Sequence, residues 1–249
     1  MTHGETPTPR VAVVTGGSRG IGRSVVRHLA GDGFSIVIGY ASNKDEAAAA
    51  IAEAEATGAQ ALAVAADVAD EHAVANLFDQ TEQAFGGVDV VVNAAGLMSL
   101  APLADFDLGD LDRMHRTNIR GTFVVDQQAA RRVRPAGAII NFSSSVLGRV
   151  LPTYTGYAAS KAAVEAMTFI LAHELRGRDV TVNAVAPGPT ATDMFLEGKD
   201  QELLTRLAQA VPLERLGIPD DIAPAVAFLA SPDGHWINGQ TIRANGGII

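Results

Sequence analysis

Six runs rich in Val, Ile and Ala, at residues 11–15, 35–39, 61–65, 88–93, 138–142 and 181–184, recur along the chain. Longer stretches of helical period lie between them, at 22–30, 45–57, 71–85, 108–133 and 157–176. The short runs are continuously apolar rather than alternating, which suits strands buried on both faces of a parallel sheet. Strands separated by helices in this rhythm form right-handed crossovers. The expected fold is therefore α/β, a doubly wound parallel sheet with helices on both faces. No Pro/Ser linker or shift in composition divides the chain, so 1–249 reads as a single domain. The stretch 187–219 carries no strand signal. Pro189, Gly198, Pro212 and Gly217 surround a short helical patch at 201–210, so 188–218 is expected to be a substrate loop or lid.

Composition removes several chemistries. The chain has no Cys, which excludes a disulfide frame, a thiol nucleophile and thiolate metal sites. With 28 acidic against 19 Lys+Arg residues the formal charge is −9, a poor match for the phosphate backbone of a nucleic acid. The six His show neither metal-ligand spacing nor a serine-hydrolase pattern. No apolar run approaches the ~18 residues of a membrane span. Residues 1–9 are polar, without the basic start and apolar core of a signal peptide. A soluble cytoplasmic protein is expected.

The first strand runs into Thr15-Gly16-Gly17-Ser18-Arg19-Gly20-Ile21-Gly22, and a helix follows at once. Glycines there let a pyrophosphate approach the backbone, and the helix N-terminus offers free N–H groups and the positive end of its dipole. The spacing is G-x-x-x-G-x-G rather than G-x-G-x-x-G, but the turn lies where the doubly wound (Rossmann) fold places its phosphate site. A site for NAD would carry an acid at the end of the second strand. Here that end reads Gly39-Tyr40-Ala41-Ser42-Asn43-Lys44, with no acid before Asp45. Arg19, Ser42, Asn43 and Lys44 suit a 2′-phosphate, which a carboxylate would repel. NADP(H) is favoured and NAD(H) remains open.

Only three Tyr and three Lys occur, yet Tyr157 and Lys161 fall four apart at the start of a helical stretch, on one face of it. Random placement would give roughly 0.04 such pairs. An ammonium near a phenol favours the phenolate, as proton exchange with a carbonyl or alcohol near neutral pH requires. The cluster Asn141-Phe142-Ser143-Ser144-Ser145 ends the fifth strand, where open α/β sheets bind ligands. Any of these serines could donate to a carbonyl oxygen, or instead bond its own backbone as a turn residue.

Together the turn, the Tyr–Lys pair and the serine run resemble the short-chain dehydrogenase/reductase family from Val11 to the C-terminus. Within it the chain looks most like the 3-oxoacyl-carrier-protein reductase group. Asn93-Ala94-Ala95-Gly96 is similar to the family's N-A-G segment, Asn118 to its helix-four Asn, and Pro187-Gly188, with Thr190 and Thr192, to its P-G stretch. The family's catalytic Ser lies three residues after the strand-five Asn and about 13 before the Tyr; both counts give Ser144. The resemblance implies Tyr157 as general acid in reduction and base in oxidation, with Lys161 lowering its pKa and holding the nicotinamide ribose. Ser144 would orient the carbonyl, and Asn118 would hold a relay water. The glycine turn, Tyr40, Ser42, Asn43, Asp67, Val68, Asn93, Ala94, Gly96, Pro187, Gly188, Thr190 and Thr192 would surround the cofactor. Subunit contacts through the two long helices would make a homotetramer.

The substrate side is less specific. Leu97, Met98, Leu147, Leu151, Tyr154, Met194 and Phe195 fall near these motifs and could line a pocket for a weakly polar carbonyl compound or belong to the core. No cation stands out as an anchor for an acidic substrate; Arg149 is the nearest. The reading is an NADP(H)-dependent interconversion of a ketone or aldehyde with an alcohol. An NAD-dependent oxidation and a catalytically silent cofactor-binding regulator are the alternatives. An epimerase or dehydratase is disfavoured, because those relatives need a C-terminal substrate domain.

Overall fold

The computed structural model describes residues 9–249; the polar N-terminal segment read for a signal peptide lies almost wholly outside them. The chain runs β1 (Val11–Thr15), α1 (Gly20–Gly31), β2 (Ser35–Tyr40), α2 (Lys44–Glu55), β3 (Ala61–Ala65), α3 (Glu71–Phe85) and β4 (Val88–Asn93). It continues with α4 (Leu108–His115), α5 (Thr122–Arg132), β5 (Val133–Phe142), α6 (Thr155–Glu174), β6 (Val180–Pro187), α7 (Asp193–Leu196), α8 (Gln201–Gln209), α9 (Pro219–Ala230) and β7 (Thr241–Ala244). The strands form one parallel sheet in the order β3-β2-β1-β4-β5-β6-β7. The expected doubly wound α/β fold is therefore the one observed.

Successive strand residues point to opposite faces, and the core divides accordingly. Val14, Ile36, Val90, Val92 and Ile140 pack with Leu29 of α1, Ala50 of α2 and Ile222 of α9. Val13, Val37, Val91, Ile139 and Val182 pack with Leu77 of α3 and Val125 of α5. Neither face of the sheet can spare an apolar position. The continuous apolar runs in the sequence follow from that.

Several boundaries differ from expectation. The stretch 108–133 is not one helix. A π-helical turn, Arg116–Gly121, separates α4 from α5 and buries Asn118 and Gly121. A Cβ on Gly121 would come within 2.6 Å of Val68 Cγ2, so α5 can lie this close to the chain after β3 only with glycine there. β5 begins five residues before the expected 138. Pro135, Gly137 and the left-handed Ala136 (φ 62°) obscured its start, and a register shift between Val88 and Val90 accommodates the irregularity. β7 and α9 carried no signal strong enough to read. β7 is four residues long and mixes Thr and Arg with two apolar residues, and α9 starts on a proline and contains Pro224. No helix among the described residues is long and apolar enough to cross a membrane.

Candidate active site

At the C-terminal ends of the strands lies a cavity of about 620 Å³. One end is the glycine turn between β1 and α1. Gly16 and Gly20 are left-handed, with φ 65° and 53°. A Cβ on Gly16 would sit 2.8 Å from Ala95 Cα, and one on Gly22 would sit 2.3 Å from the Gly16 carbonyl oxygen. The G-x-x-x-G-x-G spacing thus lets the turn press against the chain after β4 and fold back on itself. Arg19, at the N-cap of α1, makes no side-chain cap hydrogen bond, so the first N–H groups of α1 face the cavity without an internal acceptor. A turn with no room for side chains, below an uncapped helix end, fits the pyrophosphate of a dinucleotide.

Gly16, Ser18, Arg19, Gly20, Ile21, Gly22, Tyr40, Ser42 and Asn43 all line the cavity. The Asn43 side chain also caps α2, accepting from Glu46 N at 3.1 Å. Lys44 is the first residue of α2 and does not line the cavity, whereas Glu46 does. Asp67 and Val68 form another part of the wall. The Asp67 carboxylate accepts from Ala69 N at 2.9 Å and pairs with Arg116 at 2.7 Å. Arg116 also faces the cavity and carried no sequence signal, being one exposed Arg in a helical stretch.

The other end of the cavity holds Ala94, Gly96, Leu97, Met98, Ser143, Ser144, Tyr157, Lys161, Pro187, Thr190, Thr192, Met194 and Phe195. Thr192 caps α7, and its Cγ2 would lie 3.5 Å from a Cβ on Gly20, so it closes over the glycine turn. Gly188 does not line this cavity but lies against Asn245. Leu147, Leu151, Tyr154 and Arg149 are likewise absent from its wall.

Two sequence-selected asparagines are also outside the wall. Asn93 is buried, and its amide donates to Asp126 at 2.8 Å and to Asn141 at 2.7 Å. A strand-end side chain can point into the site or away from it, and the sequence does not distinguish the two. Asn118, in the π turn, donates to the Leu97 carbonyl at 2.8 Å and to Ser160 Oγ at 3.0 Å, and accepts from Leu97 N at 2.8 Å. Its side chain clamps the segment that carries Gly96, leaving its amide no free hydrogen for a water.

The three serines separate by their partners. Ser143 donates to Glu165 at 2.6 Å, and Ser145 donates to the Ala186 carbonyl at 3.0 Å. Ser144 Oγ accepts from Val146 N at 3.3 Å, which leaves its proton uncommitted to the backbone. Lys161 is buried and donates to the Phe142 carbonyl at 2.8 Å; its Nζ lies 5.8 Å from the Tyr157 ring centroid. Burial pushes Lys161 down to about 8. Burial also pushes the Tyr157 phenol up to about 12, with a hydrogen bond to Ser144 acting in the opposite direction. Desolvation outweighs that hydrogen bond, so the phenol stands above its ordinary range rather than below it.

A parallel sheet, a side-chain-free glycine turn at one end of a cavity and a Ser–Tyr–Lys cluster at the other define a dinucleotide-dependent oxidoreductase. A family model described as enoyl-(acyl carrier protein) reductase matches residues 16–249. The chain is 46% identical to a short-chain type dehydrogenase/reductase of Picea abies, over 96% of this chain and 92% of that one. It is 41% identical to an NADPH-dependent aldehyde reductase-like protein, chloroplastic, of Arabidopsis thaliana, over 96% of this chain and 94% of that one. The crystal structure of a short chain dehydrogenase from Burkholderia cenocepacia J2315 in complex with NADP is similar with a TM-score of 0.90 at 39% identity, covering 98% of this chain and 99% of that one. The chain belongs to the short-chain dehydrogenase/reductase family.

Proposed function

We propose that the protein reduces an uncharged ketone or aldehyde to an alcohol with NADPH, reversibly. The observation that carries this reading is the convergence of Ser144, Tyr157 and Lys161 on one end of the cavity whose other end is the glycine turn. NADP(H) is the cofactor. Relatives named as NADPH-dependent and a similar structure in complex with NADP support it, and so do Arg19, Ser42 and Asn43 in the wall without an acid at the end of β2. The nicotinamide supplies a hydride to the carbonyl carbon when bound.

The chain's own part is to place and protonate the carbonyl oxygen. A phenol held well above its ordinary range remains protonated at neutral pH, and in that form Tyr157 is the proton donor in reduction. Ser144, with its proton uncommitted to the backbone, donates to the same oxygen as negative charge develops there. Lys161 is a cation fixed beneath them by the Phe142 carbonyl, and it stabilises the phenolate left after transfer. Asn118 positions the Gly96–Leu97 wall.

Leu97, Met98, Met194 and Phe195 make the substrate end apolar. The 3-oxoacyl thioesters of the carrier-protein reductases and simple aldehydes are both within this class. The segment 188–218, which contributes Met194 and Phe195, acts as the lid over that end. The exposed Phe123 of α5 and the exposed Phe169 and Ile170 of α6 suit subunit contact in a homotetramer. The test is NADPH oxidation on a panel of aliphatic, aromatic and acyl-thioester carbonyls. Tyr157→Phe should lower kcat by about 10²–10⁴-fold while leaving the NADPH Kd within about twofold. Retained turnover in that variant would sink the assignment.

A further inference from the structure

Directly below the site lies a buried carboxylate that the proposed reaction does not use. Asp126, on α5, is 5% exposed. One of its oxygens accepts from Asn93 at 2.8 Å and the other accepts from Asn141 at 3.0 Å. These two asparagines are register partners at the ends of β4 and β5, and Asn93 also donates to Asn141 at 2.7 Å. Asn141 in turn donates to Thr168 on α6 at 3.0 Å, and Thr15 at the end of β1 donates to Asn93 at 3.5 Å. The partners from β1, β4, β5 and α6 are all neutral.

Each strand end held this way leads directly into the site. Asn93 precedes the Ala94–Gly96 wall. Asn141 precedes Phe142, whose carbonyl takes the Lys161 ammonium, and then Ser143 and Ser144. α6 carries Thr168 seven residues, or two turns, beyond Lys161, on the same face. A leucine here would avoid the desolvation cost of burying a carboxylate with no cation beside it. Burial does push Asp126 up to about 7, while the two amide donors favour its charged form. A group this expensive that ties four elements together beneath a reaction centre has a use in the site.

We infer that Asp126 is a positioning residue for the Ser144–Tyr157–Lys161 cluster: its carboxylate, gripped by Asn93 and Asn141, sets the strand ends that carry the Lys161 acceptor and Ser144. An amide at 126 would offer one acceptor and one donor where two donors converge, so the link to one strand end would be lost. The effect on turnover rests on the proposed reduction; the effect on Lys161 does not.

The test uses three variants of the full chain. In Asp126→Asn, kcat should fall about tenfold or more while the NADPH Kd and the KM stay within about threefold. The Lys161 titration, followed by NMR of ¹³C-labelled lysine in a chain with three lysines, should move down by about half a pH unit or more, with Lys44 and Lys199 unmoved. Lys161→Met assigns the resonance. The donor–acceptor swap Asp126→Asn with Asn141→Asp restores complementarity, with the Thr168 hydroxyl turning to donate. It should recover most of the lost kcat. An unmoved Lys161 titration overturns the inference. So does a loss in Asp126→Asn of kcat, cofactor binding and Tm together that the swap does not repair, or a failure of both variants to fold, since either makes the role purely structural. Absence of turnover in the wild type, with a moved Lys161 titration, instead rejects the proposed reduction and leaves the positioning intact.

Discussion

Replacing Lys161 by methionine should stabilise the fold while abolishing turnover. Among the described residues the buried ammonium has one acceptor, the Phe142 carbonyl at 2.8 Å, and its pKa falls from an ordinary 10.5 to about 8. At 1.36 kcal/mol per pH unit, that depression means the folded state disfavours the ammonium by roughly 3 kcal/mol. Methionine has similar length and no charge, but it leaves the Phe142 carbonyl without its donor, at a cost of about 1–3 kcal/mol. The balance is a gain of about 1 kcal/mol at pH 7, or a Tm higher by about 2–4 °C for a chain of this size. The pH dependence is the sharper signature. Between about 8 and 10.5 the unfolded chain binds the lysine proton and the folded one does not, so the wild type gains stability as pH rises through this window. The variant has no such group. Its advantage should be constant below about pH 8, then shrink by roughly 3 kcal/mol as pH approaches 10.5, and reverse. Urea unfolding of both proteins at intervals from pH 7 to 10.5 measures it. A gap that does not change across that window would refute the reasoning.

Gly22→Ala places a Cβ 2.3 Å from the Gly16 carbonyl oxygen and 3.2 Å from Gly17 Cα, all backbone atoms that no side-chain movement can relieve. The turn must open, and NADPH affinity by fluorescence titration should fall about tenfold or more, with a stability loss of about 1–3 kcal/mol. Phe169→Glu puts a charge on the exposed apolar face of α6. Light scattering should then show fewer chains per particle than in the wild type, and an unchanged mass would remove α6 from the interface.

How much of this was legible follows from where each signal comes from. β1, β2 and β4 could be placed because their apolar runs are buried on both sides of the sheet, which leaves a mark on every residue, whereas the half-buried edge strand β3 showed through its continuous apolar run and α3 through the helical spacing of Val74, Leu77, Phe78 and Thr81. Tyr157 and Lys161 were visible because helix spacing alone brings them together. The choice among Ser143, Ser144 and Ser145 could be counted but not explained from sequence. It became physical only when Glu165 and the Ala186 carbonyl were seen to occupy the outer two hydroxyls. The inward turn of the Asn93 side chain was not readable for the corresponding reason, since its partners Asp126 and Asn141 are 33 and 48 residues away. Asp126 itself, in Val-Val-Asp-Gln-Gln, has the look of a solvent-facing position. The π turn at Arg116–Gly121 was hidden because one extra residue in a helix does not disturb a hydrophobic period read over long windows.

The packing of α1 against α9 has a consequence for how the protein is made. Val25, Val26 and Leu29 of α1 are covered by Ile222, Val226 and Leu229 of α9, and Ser24 donates to Asp220 at 2.5 Å. During synthesis the glycine turn and its helix emerge early, but their cover is among the last segments translated. At ~5–20 residues per second, α1 waits on the order of ten seconds or more with an oily stripe facing water or a chaperone. Every ribosome carrying an unfinished copy therefore presents that stripe. A message cut short before Pro219 would release a chain that can never cover it, and such a product is expected in the aggregate or in the protease rather than in the folded pool.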